Sequence, residues 1–485
     1  MIKTISRWLI FILVMLVSFR ISQSRSLSMR FVDEEDHIAF GYYINQGYKL
    51  HQQLQNNHQP LVYFASAGIQ KLTHPENIFM LVRRHRQVMF FYGLAWSLIF
   101  LLRFKSKGLF FIVFIELLKY YLFGNLLLLD SLAAYPAAYL FFSAMKIWFN
   151  RFQPKIIELL WLGTLTWLIF FTLIPLWPWL AIIWLVMLFR LNKKVIYSAA
   201  VFLLLSTVLF SFYSPAAWWH ETVYNNIKYA IPALNEIHSL SDRSKLVFFP
   251  FLAYFNLSGL QSLFIAVFFT GYLVAAVKDK RLWLIYPLLF LANTRVINPN
   301  AVYYQGFHLL PWLGLLIAWF IFVWEKIRFK PVFMAALVIL LFHPAMFYRI
   351  KTDLANEYYI NYSLAEDFNF AVRTLANSND RLAVLDNKPL IYWQSNTRPA
   401  TRQLVYYAWE PDVPELRAGY NQVFFGGNPP EIIYGDKEPA LLIEKYTNIP
   451  KDSQSTLLFI RNDRYNRITP DQWLALATRG FSHEL

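Results

Sequence analysis

The sequence predicts a polytopic α-helical membrane protein with about 11 transmembrane helices and an extracytoplasmic C-terminal α/β domain. Three observations carry this. Of 485 residues, 57% are hydrophobic and only 15% charged, against about 25% charged in an ordinary soluble domain. The apolar residues lie in long runs, and about 20 such residues cross a hydrocarbon core as a helix that satisfies its own backbone. The basic clusters between the runs recur on alternate sides.

The spans read as 5–21, 86–102, 108–128, 131–149, 156–173, 175–190, 195–212, 257–277, 282–294, 307–324 and 331–348. One side holds Lys3/Arg7, Arg103/Lys105/Lys107, Lys146/Arg151/Lys155, Arg190/Lys193/Lys194, Lys278/Lys280/Arg281 and Lys326/Arg328/Lys330. These 17 basic residues stand with only Asp279 and Glu325 among them. Basic residues gather on the cytoplasmic side, so the N-terminus is inside and the tail outside, which needs an odd number of spans. The first span has the charge pattern of a signal peptide, but Ser18-Phe19-Arg20-Ile21 offers no small-x-small cleavage site, so it reads as an anchor. The chain is expected in the membrane of a bacterial cell.

A net charge of +15 invites a nucleic-acid reading, and its distribution removes it. Residues 350–485 carry 14 Lys+Arg against 17 Asp+Glu, leaving +18 on the membrane part, where basic residues set orientation. With no cysteine, thiol catalysis, disulfides and iron–sulfur clusters are excluded. No cofactor is specified and no metal ligands are assigned; a divalent metal stays open.

The organisation is a membrane domain, 1–349, with a long outer loop at 22–85, followed by a soluble domain, 350–485. A second outer segment, 213–256, holds Trp218, Trp219 and His220, which suit an interfacial helix. In the tail, Ser363-Leu-Ala-Glu366 reads as a capping box, and Thr469-Pro-Asp-Gln472 starts a last helix that Gly480 ends. Arg381–Asp386, Pro389–Trp393, Glu431–Tyr434 and Thr456–Ile460 read as short strands.

The outer loop opens on Asp33-Glu34-Glu35-Asp36-His37, directly after the first span. One reading is a helix start, with Asp33 as cap and Asp36 at the third position, the acids complementing the helix dipole. The other is catalysis. Gly41, Gln46-Gly47 and Pro60-Leu61-Val62-Tyr63 follow in order. This succession resembles the C-type glycosyltransferase superfamily (GT-C), in the branch of protein O-mannosyltransferases and lipid A aminoarabinose transferases. There an Asp-Glu pair follows the first span, a small residue comes eight positions after the Asp, and a turn and a Pro-Leu-x-Tyr segment come next. The resemblance extends to the topology of most of the chain. His58-Gln59-Pro60 stands where the aminoarabinose branch has Lys-Pro-Pro, which argues against that sugar.

The resemblance implies transfer of a sugar from a polyprenyl-phosphate-linked donor to an acceptor hydroxyl on the outer face. The acceptor is a glycolipid, a polysaccharide or a protein. It implies Asp33 as base, with Glu34 and Asp130 orienting base or acceptor. Asp130 lies at the outer end of the third span, where an ionisable group is costly; a cap at the turn into span four is the alternative. Arg295 and Tyr303, with His308, occupy the outer segment between spans nine and ten. Arg295 could hold a lipid phosphate bidentately, or merely snorkel. His58 could contact that phosphate or only shape its loop. Glu116 and Lys119, three apart in one span, could pair with each other. The rival function is a transporter or flippase of a lipid-linked sugar, whose mark would be repeated halves and broken helices; neither is evident.

A reporter active only outside the cytoplasm, fused after residue 349, is expected to be active. A cytoplasmic readout would overturn the orientation.

Overall fold

The structure, a computed structural model, describes residues 2–27, 30–235, 304–324, 330–342 and 362–483, with residues 270, 274, 276, 277 and 291–293 between. The first nine α-helices are α1 (Ile2–Ser24), α2 (Val32–Asn45), α3 (Leu61–Thr73), α4 (Ile78–Phe104), α5 (Ser106–Leu118), α6 (Leu129–Asn150), α7 (Ile156–Phe170), α8 (Trp177–Leu191) and α9 (Ile196–Phe210). Among the described residues, Thr4–Ser24, Ile78–Phe104, Leu129–Asn150 and the run Ile174–Phe210 are long and apolar enough to cross a membrane; Ile156–Phe170 and Phe307–Val323 are shorter apolar helices. Expected spans eight and nine, and the boundary at 349, fall almost wholly outside the described residues.

Helix Leu310–Val323 is buried along nearly its whole length and packs between α5 and α6. Its Trp312 and Trp319 share a core with Phe141 and Trp179. α1 and α9 instead leave Leu9, Leu13, Leu203 and Leu204 exposed, the pattern of a helix facing lipid. Glu116, buried inside this bundle, is fully partnered. Glu116 Oε2 lies 2.6 Å from Lys119 Nζ, and the carboxylate also accepts from Ser18 Oγ (2.8 Å), Ser97 Oγ (3.0 Å) and the Tyr135 hydroxyl. Gly93 makes room for this group: a Cβ there would lie 2.7 Å from Lys119 Nζ. Pro136 within α6 cannot donate to Leu132 O, and the Tyr92 hydroxyl donates to that oxygen instead, at 2.6 Å.

The expected third span differs. α5 stops at Leu118, one 3₁₀ turn runs from Lys119 to Leu122, and Phe123 takes a left-handed backbone (φ 54°). Irregular chain to Leu128 follows before α6. The unwound segment frees the Leu127 N–H, which donates to Glu34 Oε1 (3.1 Å).

The tail holds a five-stranded sheet, order β2-β1-β3-β5-β4, from β1 (Arg381–Val384), β2 (Arg398–Pro399), β3 (Ile432–Tyr434), β4 (Tyr446–Asn448) and β5 (Leu458–Arg461). β1 runs parallel to β2 and β3, and β5 antiparallel to β3 and β4. Pro399 sits in the edge strand, where a missing N–H costs no ladder bond. The expected strand Pro389–Trp393 is a 3₁₀ helix, Pro389–Tyr392, wholly buried; its apolar run has no alternation to hold a strand face, and Pro389 cannot donate to a ladder. The Thr469/Gln472 capping box forms and Gly480 (φ 79°) follows its helix. The Ser363 box does not: Ser363 makes no side-chain cap bond, and Glu366 accepts from Ile78 N (2.9 Å), capping α4 across the structure.

The tail and the segment 22–85 share one core, with Ile38, Phe40 and Tyr43 of α2 packed with Phe368, Tyr392 and Trp393. α2 lies close on α3, because a Cβ on Gly41 would meet Ser66 Oγ at 2.6 Å and Ala67 N at 2.8 Å. At the centre Arg86 and Glu34, each about 1% exposed, pair at 2.7 Å. Arg86 also donates to the Tyr362 hydroxyl (3.0 Å).

Removing one partner of such a pair strands the other, at a cost of about 3–5 kcal/mol. Arg86→Met is therefore expected to lower the melting temperature of the detergent-purified protein sharply. Adding Glu34→Gln should recover part of the loss. Equal melting temperatures for single and double variants would show the two side chains to be uncoupled.

Candidate functional site

The acids that the sequence crowds together are separated by helical geometry. Phe31 is the N-cap of α2 and makes no side-chain cap bond, so Asp33, Glu34 and Glu35 fill the first turn and Asp36 the fifth position. Asp33 is not the cap, and Asp36 is not at the third position. Residues four apart share a helix face, and Asp33 and His37 both line a cavity of about 500 Å³. Glu34 and Glu35 turn elsewhere. Glu34 holds Arg86 and the Leu127 N–H, while Glu35 takes a bidentate contact from Arg30 at 2.7 and 3.0 Å. Burial pushes the Glu35 carboxyl up, and Arg30 pulls against it. Glu34 does not reach the cavity, so its place is behind Asp33 rather than beside it.

The second wall is the loop before α3, through Asn57, His58 and Gln59. Asn56 shapes this loop: its Oδ1 accepts from His58 N (2.9 Å) and its Nδ2 donates to Asp36 Oδ2 (2.8 Å). Pro60 then starts α3, whose buried Tyr63 meets the His37 ring edge-on at 5.4 Å.

The third wall comes from 213–235. Pro215–Trp219 is a short helix continued by wide turns to Ala230. Trp218 is buried and donates from Nε1 to Gln59 Oε1 (3.2 Å); Trp219 is exposed, as an interfacial tryptophan would be. His220 is partly exposed and outside the cavity lining. Asn226 donates to Asn57 O (2.7 Å), so this segment and the outer loop close on each other.

The fourth wall joins Asp130, in the first turn of α6, to His308, in the turn before helix Leu310–Val323. Asp130 Oδ2 lies 3.2 Å from His308 Nδ1. Leu173, Ile174, Pro175, Trp177 and Pro178, ahead of and within α8, supply an apolar wall. The result is one carboxylate–imidazole pair, one partly exposed carboxylate and two further imidazoles above an apolar surface. Such a cavity suits an amphiphile: a charged or hydroxylated head among the polar groups, a hydrocarbon segment along the apolar wall.

Four residues expected from the sequence thus meet here: Asp33, His58, Asp130 and His308. Arg295 and Tyr303 lie outside the described residues. Residues that the sequence reading did not assign also line the cavity, among them His37, Asn57, Thr172 and Asn226. Only His37 carried a signal, its i+4 spacing from Asp33.

No protein-family model matches the chain, and no curated protein matches it in sequence. Among solved structures, the crystal structure of ArnT from Cupriavidus metallidurans bound to undecaprenyl phosphate superposes with a TM-score of 0.52. The match covers 93% of this chain and 97% of that one, at 12% identity. At that identity the likeness is one of fold: the chain shares the architecture of that solved structure over nearly its whole length.

Proposed function

We propose that the protein is a membrane glycosyltransferase, moving a sugar from a polyprenyl-phosphate-linked donor to an acceptor hydroxyl on the extracytoplasmic face. The observation that carries this reading is the cavity itself, where Asp33, Asp130, His308 and His58 converge over an apolar wall. The likeness to a structure bound to undecaprenyl phosphate supports the same class of lipid.

The chemistry follows from the groups. Asp33 is partly exposed to the cavity and takes the proton of the acceptor hydroxyl. The hydroxyl oxygen attacks the anomeric carbon as the bond to the donor phosphate breaks. That bond's electron pair leaves with the phosphate oxygen, and the anomeric centre inverts. The leaving phosphate is a stable anion, so it needs charge neutralisation more than a proton. His58 faces it from the loop, and Arg295 and Tyr303 are proposed to complete its binding. Asp130 and His308, paired at 3.2 Å, orient the acceptor. Glu34 acts through position: held by Arg86, it fixes the first turn of α2 and so the direction of Asp33.

Asp33→Asn is expected to lower transfer by about 10²–10⁴-fold, the usual worth of a general base, with insertion and folding intact. Mass spectrometry of the glycolipid product reads this. Near-normal transfer would return Asp33 to a structural role in the first turn of α2. Movement of donor across the membrane without release of lipid phosphate would favour the transporter instead. For Arg295, Lys should keep charge but lose the two-pronged grip, and Ala should lose more, both seen as weaker donor use. Unchanged donor dependence in both variants would remove Arg295 from the phosphate.

A further inference from the structure

Beside the cavity lies a cluster in which Asp36 and His37, which the transfer chemistry does not use, meet His58. Asp36 is fully buried, His37 is 1% exposed, and His58 sits opposite with about a quarter of its side chain exposed. Their ligand atoms lie within 4.8 Å of one another. Asp36 Oδ1, His37 Nε2 and His58 Nδ1 have no hydrogen-bond partner.

The arrangement around these atoms is specific. His37 Nδ1 lies 2.9 Å from Leu127 O. A carbonyl only accepts, so Nδ1 carries the proton and Nε2 presents a bare lone pair. Asn56 positions the other two, donating to Asp36 Oδ2 and accepting from the backbone of His58. A ring nitrogen fixed by a hydrogen bond at the opposite nitrogen, and a carboxylate held by an amide, are how proteins orient metal ligands. Asp36 Oδ1 and His37 Nε2 are two acceptors facing one space, with His58 Nδ1 beside them. A cation serves all three lone pairs together.

We propose that Asp36, His37 and His58 bind one divalent transition-metal ion of the zinc type. Two imidazoles and one carboxylate are a borderline-soft nitrogen and oxygen set, suited to zinc rather than to magnesium or calcium. Zinc bonds of about 2.0–2.2 Å place ligand atoms roughly 3.4 Å apart. The Asp36 carboxylate stands 3.8 Å from His58 Nδ1 through Oδ2, the oxygen Asn56 holds, and all three ligand atoms lie within 4.8 Å, so binding would draw them together by about 1 Å. His37 and His58 both line the cavity, so the remaining coordination position faces it. There the ion would take an anionic oxygen of the occupant; this second role rests on the transferase reading, while metal binding does not.

The test uses full-length protein purified without a histidine tag, stripped with chelator and titrated with zinc alone. The proposal expects about one zinc per chain by elemental analysis, with a rise in melting temperature on loading. Asp36→Asn with His37→Gln should abolish the bound zinc. His58→Gln, a change at a partly exposed loop position, should weaken it at least tenfold with the fold intact. Asp33→Asn should bind as the parent does. No stoichiometric zinc in the parent, or equal zinc in the His58→Gln protein, overturns the site and leaves a plain Asp36–His58 ion pair. Zinc binding without any sugar transfer would instead leave the site standing and overturn the transferase reading.

Discussion

The site depends on one buried ion pair. Glu34 and Arg86 are both taken out of water, which is tolerable only if the charges face each other and the remaining valences are filled. They are filled by the Leu127 N–H, the Tyr362 hydroxyl and Arg25 O (3.4 Å). The pair therefore ties together the end of α1, the first turn of α2, the α4 helix, the unwound chain before α6 and the tail. Cavity residues hang from these segments. Asp33 is the neighbour of Glu34, Asp130 lies three residues beyond Leu127, and His37 bonds to the Leu127 carbonyl. An ion pair of this kind adds little net stability, but its directionality fixes one mutual arrangement of five segments.

The same constraint explains what the sequence could and could not show. The apolar runs and the existence of a helix start at the acidic cluster were legible because each depends on local pattern, although the cap is Phe31 rather than Asp33. Asp33, Asp130 and His308 were singled out by their places along the chain, and His58 by its departure from the resembled pattern; all four line the cavity. Glu34 was read as catalytic because sequence adjacency makes it look equivalent to Asp33, whereas a step of about 100° around the helix sends it to Arg86 instead. Arg86 sits in the polar run Arg83-Arg84-His85-Arg86-Gln87 at the start of α4, and nothing local distinguishes it from its neighbours or names its partner. Long-range capping was equally hidden. Glu366 has the spacing of a local box, but the Ile78 N–H at the start of α4 is the donor it accepts. Pro389–Trp393 looked like a strand on composition, and tertiary burial made it a 3₁₀ turn.

The cavity also explains why two chemistries meet at this level of the fold. Its polar groups come from helix starts and loops: the first turns of α2 and α6, and the turns before α3 and before helix Leu310–Val323. Its apolar wall comes from the chain that enters α8. A lipid-linked substrate has the same division, an anionic head beside a hydrocarbon chain, and the proposed reaction requires both halves to be held at once.

The most direct measurement of that claim is native mass spectrometry of the detergent-purified protein with undecaprenyl phosphate. The account predicts one lipid bound per chain, and its loss in Val223→Trp, which fills the cavity from a buried wall position and leaves Asp33 and Asp130 unaltered. Equal lipid retention by the parent and the filled variant would contradict it.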